Sequence, residues 1–341
     1  LGKLKEAELY TLKAIELKPD FAEALSNLGV IFTNLGKLKE AELYTLKAIK
    51  LKPDFAEALS NLSNILLDLG KFKELLVLST TIIKSRSINK GFKSLALLRI
   101  TITYLLKKDF SESLLYLQKT NDLINQDAIN TIKNEKDKKY LSAYSQFINA
   151  LYPLLDKDNK YLNSNKIPHF GESHCLSFAH QTLSISSKLY QLQPILITGA
   201  KAWHFANNKN NQWKDSLTKQ IKNHTYSDKA FISFGEIDCR KDEGILNYAI
   251  KHGKDISAVC EETIYGFIIY MERMLSPNYS ERYYFGVPAP KKGEKLLSDL
   301  DKKRIKIIQL YNSILKKEVL SKGSYFLDVY KLTSNNEGIN N

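Results

Sequence analysis

Residues 1–34 read LGKLKEAELYTLKAIELKPDFAEALSNLGVIFTN, and residues 35–68 read LGKLKEAELYTLKAIKLKPDFAEALSNLSNILLD. The two segments differ at six of 34 positions. Self-similarity at a period of this length is the mark of a repeat architecture. Leu4, Ala7, Tyr10, Ala14 and Leu17 recur at helical spacing, so the first half of each unit reads as an amphipathic helix. Pro19 and Pro53 stop that helix, because proline lacks the amide donor and clashes with the preceding turn. Ala22, Leu25, Leu28 and Phe32 give the apolar face of a second helix, and Gly36 and Gly70 permit the tight turn back. Small residues such as Ala41 and Ala48 let neighbouring helices approach closely. A single helix pair cannot bury its apolar face, so the units must stack.

The pattern of Leu28, Gly29, Phe32, Gly36, Ala41, Ala48 and Pro53 resembles the tetratricopeptide repeat. The resemblance implies an all-α solenoid over 1–124, with units at 1–34 and 35–68 and a degenerate, capping stretch at 69–124 that turns near residues 107–109. It also implies a protein or peptide ligand on the concave face. Asn27 and Asn61 occupy equivalent places on the helix expected to line that face. Similar asparagines in the repeats of O-linked N-acetylglucosamine transferases grip peptide backbone, a task that suits an amide because it both donates and accepts.

Residues 125–165 read as a helical linker. Leu141, Tyr144, Phe147, Ile148, Leu151 and Leu155 form one amphipathic stretch, and 156–165 (DKDNKYLNSN) is polar and turn-rich. Beyond it, over 166–341, the pattern changes. Short apolar runs at 167–170, 195–198, 230–234, 283–287 and 325–329 read as strands, and 176–190, 256–275 and 298–320 read as helices. This alternation predicts a three-layer α/β domain with a mostly parallel sheet. Sites in such sheets form at the carboxyl ends of the strands. The segments following the first three runs are GESHC (171–175), GAKAWH (199–204) and GEIDCR (235–240).

In that order the three segments resemble the nucleophile, glycine and Gly-x-Asn-Asp blocks of the SGNH (GDSL-like) hydrolases. The resemblance implies acyl-ester chemistry, with Ser173 as nucleophile and the Ser173 and Gly199 N–H groups binding the oxyanion. Gly235, Asp238 and Arg240 are the expected supporting residues. His174, Trp203 and His204 are the candidate substrate contacts; an aromatic in that loop either stacks on a sugar or packs on the core, the latter being the favoured reading. Two departures stand out. Ile237 occupies the place of the oxyanion-hole asparagine, and the Asp-x-x-His block is absent after Asp328. The sequence opens inside a repeat, and it is expected to be truncated at both ends; truncation and loss explain the missing histidine equally well.

The chain has 341 residues and a net charge of +13, but only six of its 50 basic residues are arginine and the lysines are spread throughout. That distribution lacks the clustered footprint of a nucleic-acid site. No apolar run reaches membrane-spanning length. Three widely spaced cysteines suggest neither a disulfide framework nor a zinc site, which fits a cytoplasmic setting. The histidines show no metal-ligand spacing, and no motif points to a cofactor or metal. Three functions follow: a repeat protein carrying a serine esterase or acyltransferase for an acylated glycan, a non-catalytic scaffold with a degenerate SGNH fold, and, ranked last, a repeat-linked glycosyltransferase or sulfotransferase.

Overall fold

A computed structural model describes residues 2–155, 165–241, 243–291 and 298–340. Its 34-residue period appears as antiparallel helix pairs: α1 (Gly2–Leu17) with α2 (Ala22–Asn34), and α3 (Leu38–Leu51) with α4 (Ala56–Asp68). The divergent stretch continues the pattern with α5 (Phe72–Lys84), α6 (Lys90–Leu106), α7 (Phe110–Asn125) and α8 (Glu135–Leu151). Where the repeat consensus fades, side-chain caps take over the helix starts. Asn89 accepts from the Phe92 N–H, Asp109 from the Glu112 N–H and Asn134 from the Lys136 N–H. Stacking buries Leu28, Phe32, Ala41 and Ile65 in one cluster and Leu25, Ala48 and Ala58 in the next. The repeat also repeats its ion pairs. Lys37–Glu8 (3.0 Å) recurs one period later as Lys71–Glu42 (2.6 Å).

The chain divides into two compact units, Leu1–Leu162 with Ala179–Gln181 and Asn210–Gln220, and Asn163–Phe178 with Thr182–Lys209 and Ile221–Asn341. The stretch 125–165, expected to be a helical linker, contributes α8, which packs on α6 and α7 with Leu141 and Ile148 fully buried. The polar run 156–165 lies, except for its last residue, outside the described residues.

The second unit is built on a six-stranded sheet of β1 (Asn165–Gly171), β2 (Thr182–Ile185), β3 (Lys188–Leu196), β4 (Lys229–Ser233), β5 (Glu281–Phe285) and β6 (Tyr325–Leu327). Its order is β2-β3-β1-β4-β5-β6. Five strands run parallel and β2 pairs antiparallel with β3, so the sheet is mixed. The later helices are α9 (Ala202–Ala206), α10 (Gln212–Asn223), most of which belongs to the first unit, α11 (Ile245–His252), α12 (Ile256–Leu275), α13 (Asp299–Ser321) and α14 (Val329–Thr333). β4 is buried along its whole length, as a parallel strand covered on both faces should be.

The helix expected at 176–190 is not formed. A 3-10 turn, Ser173–Phe178, gives way to a β2–β3 hairpin whose two turn residues, Ser186 and Ser187, both have positive φ (48° and 64°). Leu183 and Ile185 alternate with period two on β2, and Tyr190 and Leu192 do the same on β3, with Leu183 paired to Tyr190. Leu183 and Ile185 pack against the core of Ile167, Leu192, Phe231 and Phe285.

Candidate active site at the sheet edge

Register fixes the site. Gly171, the last residue of β1, pairs with Leu196 of β3 on one side and Ser233 of β4 on the other. The segments that follow the three strands, 172–174, 197–201 and 234–240, therefore leave the sheet at the same edge. The chain passes from β1 to β3 on one side and then crosses to β4 on the other. The crevice above β1 and β4 is thus a topological switch point, where ligands bind open α/β sheets.

Glu172 is the centre of the first segment. It is 1% exposed, and its carboxylate accepts from the Ser173 hydroxyl (2.7 Å), the His174 amide (3.2 Å) and His174 Nδ1 (2.7 Å). Burial opposes its ionisation, but the charge of His174 and these hydrogen bonds hold its pKa below the ordinary carboxylate value. Burial would likewise lower His174, yet the Glu172 carboxylate outweighs it and raises the imidazole to about 9. At neutral pH His174 is therefore an imidazolium, able to donate but not to take a proton. His169 is no substitute base. It lies fully buried beneath the site, bonded through Nε2 to Ser233 Oγ at 2.9 Å, and burial lowers it to about 3 despite Glu172.

The glycines of the second and third segments have distinct reasons. Gly199 has φ +67° and open space where a side chain would stand, so backbone conformation alone selects it. Gly235 has φ +124°, and a Cβ there would come within 2.5 Å of Tyr311 Oη, so both conformation and space demand glycine. Ile237 is buried in the 3-10 turn Ile237–Cys239. Asp238 ties two loops together, accepting from the Ala202 (2.7 Å) and Trp203 (3.1 Å) amides just past Gly199. Burial raises it to about 6 against the pull of those bonds. His204 is buried and its Nδ1 accepts from the Lys201 amide at 2.9 Å, closing the start of α9; burial first, then Lys201, lowers it to about 3.

Arg240 belongs to an ionic chain. It bonds Glu236 (2.8 Å) and Glu243 (3.2 Å), Glu236 also bonds Arg304 (2.9 Å), and Glu243 bonds Lys201 (2.8 Å). Glu172, His174 and Glu236 present ligand atoms within 4.8 Å of one another, a spacing that could hold a cation. Without an ion the three groups are already paired, His174 with Glu172 and Arg240 and Arg304 with Glu236.

Among the described residues, two cavities lie in the second unit. One of about 40 Å³ is lined by Glu172, His174, Ser233 and Glu236 with apolar residues from the ends of β5 and α14's start. The other, about 290 Å³, is lined by residues that include Lys201, Trp203, Glu243 and Tyr248.

A family model, the tetratricopeptide repeat, matches residues 22–55. The N-terminal region carries tetratricopeptide repeats. No curated protein matches the chain. Among solved structures, a mutant of the Thermobaculum terrenum O-GlcNAc transferase aligns at 12% identity, covering 83% of this chain and 42% of that one, with a TM-score of 0.31. A superposition that loose transfers neither fold nor activity. Within the tetratricopeptide region, Asn27 is exposed on α2 and Asn61 is half-buried on α4. The Asn61 amide reaches Ser26 Oγ at 3.5 Å, linking adjacent repeats. No described helix is long and apolar enough to cross a membrane.

Several residues at the sheet edge escape a motif reading. Glu172 precedes the serine and hides as a one-residue variant of a motif, yet it organises the cluster. Glu243, Tyr248 and Arg304 belong to no motif and reach the site only through the packing of α11 and α13.

Proposed function

We propose that the tetratricopeptide repeats recruit a protein or peptide partner, with Asn27 and Asn61 facing it, and that the second unit is an SGNH-like domain performing acyl-ester chemistry at Ser173 on an acylated glycan. The observation that carries this reading is the Ser173 hydroxyl at the carboxyl edge of the central strand, bonded to the buried, ionised Glu172. In the reaction Ser173 Oγ bonds the acyl carbon, its proton passes to the Glu172 carboxylate, and the acyl–sugar C–O bond breaks as Glu172 hands that proton to the departing sugar oxygen. Water or an acceptor alcohol then gives a proton to Glu172 and bonds the acyl carbon, and the Ser173 ester bond breaks as Glu172 returns the proton to Ser173 Oγ. In this reading the Ser173 and Gly199 N–H groups serve as oxyanion donors, Asp238 holds the loop after Gly199 through the Ala202 and Trp203 amides, and the His174 imidazolium adds positive charge beside the developing oxyanion. A carboxylate with a depressed pKa is a weak base, so this geometry predicts slow turnover.

A second reading, a non-catalytic binding module, is favoured by two observations. The Glu172 carboxylate raises His174 to about 9, which leaves it a poor base at neutral pH, and Ile237 offers no side-chain donor where one missing donor costs roughly 10²–10³ in rate. Treatment with a fluorophosphonate followed by peptide mass spectrometry separates the two. A phosphonyl adduct on Ser173 supports acyl chemistry; a folded protein that takes up no adduct supports the binding module.

A further inference from the structure

The 290 Å³ cavity lies in the second unit, between the start of α9 and the α11–α12 corner. Its size is at the lower end for ligand pockets, suited to one ring and not to an extended chain. Its formal charges cancel: Lys201 and Lys251 face Asp238 and Glu243. Such a pocket has no field with which to select an anion or a cation. What it offers is a mixture of acceptors and donors, from the Glu243 carboxylate, the Asn247 amide and the two ammonium groups. Hydroxyl groups, which donate and accept at once, use both kinds.

The aromatic residues narrow the ligand further. Trp203 is 45% exposed and Tyr248 37% exposed, both on the pocket wall. The Tyr248 ring is already covered, by His252 at 4.4 Å and by Lys254 Nζ at 5.8 Å. Among the described residues, the ring contact of Trp203 is with the edge of His204, at 5.7 Å and 69°. Trp203 is thus the surface left for stacking. Its negative π face complements the weakly positive C–H face of a pyranose. Asp238 fixes the Trp203 backbone through the amide bond of 3.1 Å, so the platform is held in advance.

We infer that this cavity is a subsite for one neutral pyranose ring, stacked on Trp203 with its hydroxyls on Glu243, Asn247 and Lys251. Glu243 also bonds Arg240, which bonds Glu236, so the pocket wall continues into the Ser173 cluster. The identification of this ring as the glycan of the ester substrate rests on the Ser173 reading; the binding itself does not.

The experiment uses the full chain carrying Ser173→Ala, so that no turnover contributes, and methyl glycosides of glucose, galactose, mannose and N-acetylglucosamine as probes. Saturation-transfer NMR is expected to show at least one of them binding in the millimolar range. Affinity should fall at least tenfold with Trp203→Ala and with Asn247→Ala, two exposed positions at which folding can be checked by circular dichroism. Absence of binding by all four glycosides, or binding unchanged in both variants, would overturn the subsite. Ester hydrolysis by the wild type is a separate readout. Ser173-dependent hydrolysis without sugar binding removes the subsite alone. Trp203-dependent sugar binding with hydrolysis indifferent to Ser173 supports the subsite and removes the acyl reading.

Discussion

At the scale of the residue, the repeat contains its own mutational control. A Cβ on Gly29 would lie 2.2 Å from Thr45 Oγ1, which is itself tied to the Ala41 carbonyl at 2.7 Å. One period later the same positions are Ser63 and Ser79, both fully buried. A larger residue has replaced glycine where a smaller one has replaced threonine. We predict that Gly29→Ser alone destabilises the protein by about 1–3 kcal/mol, and that adding Thr45→Ser recovers much of the loss. Urea melts of the two singles and the double measure the coupling directly.

His174 makes a pH prediction. Its pKa is raised, so its contribution to stability is complete below the ordinary imidazole value of 6.5 and is lost as pH rises towards about 9. Glu172 is depressed, so its contribution is complete above 4.5 and is lost as pH falls through its lowered value. The pair is strongest from about 4.5 to about 6.5. Imidazole NMR should show His174 titrating near 9, and His174→Gln should flatten the alkaline decline in melting temperature. A midpoint near 6.5 would mean that the ion pair is not formed in solution.

Much at this scale is legible in the sequence, because Ser173, Gly199 and Gly235 stand at fixed offsets from apolar runs. What is not legible is charge state. Nothing in GESH (171–174) says that the glutamate is buried and the histidine protonated, since both follow from what the fold packs over them.

At the scale of the element, the helices of the repeats are readable because period, proline and glycine agree. The β2–β3 hairpin is not. Residues 176–190 contain enough apolar residues at mixed spacings to fit a helix, and the turn is Ser-Ser in place of the Asn-Gly or Asp-Gly that signals a two-residue hairpin. Both serines pay for positive φ, at 48° and 64°. Replacing Ser186-Ser187 with Asn-Gly should therefore stabilise the second unit by about 1 kcal/mol, read as a rise in melting temperature. A fall would show that the serine side chains hold the turn by bonds of their own. The short helix α9 is similarly invisible in sequence, because its start depends on Asp238, 36 residues away from Ala202.

At the scale of the whole molecule, the chain joins an N-terminal array of tetratricopeptide repeats to a mixed α/β unit. The repeats were the more readable half because duplication is a signal that needs no knowledge of packing. The sheet edge is readable only as an ordered set of segments, and its meaning depends on register: Gly171 opposite Leu196 and Ser233 brings three distant segments to one edge. Register also decides what is missing, since Ile237 is buried at the place where the resemblance calls for a donor. Acyl chemistry at the sheet edge requires Ser173 to be a working nucleophile.

The most direct test is p-nitrophenyl acetate hydrolysis by the wild type and by Ser173→Ala at neutral pH. The account predicts slow but saturable turnover in the wild type that falls to background in the variant. Equal rates in the two proteins, both folded, would contradict it and leave the sheet edge as a binding surface.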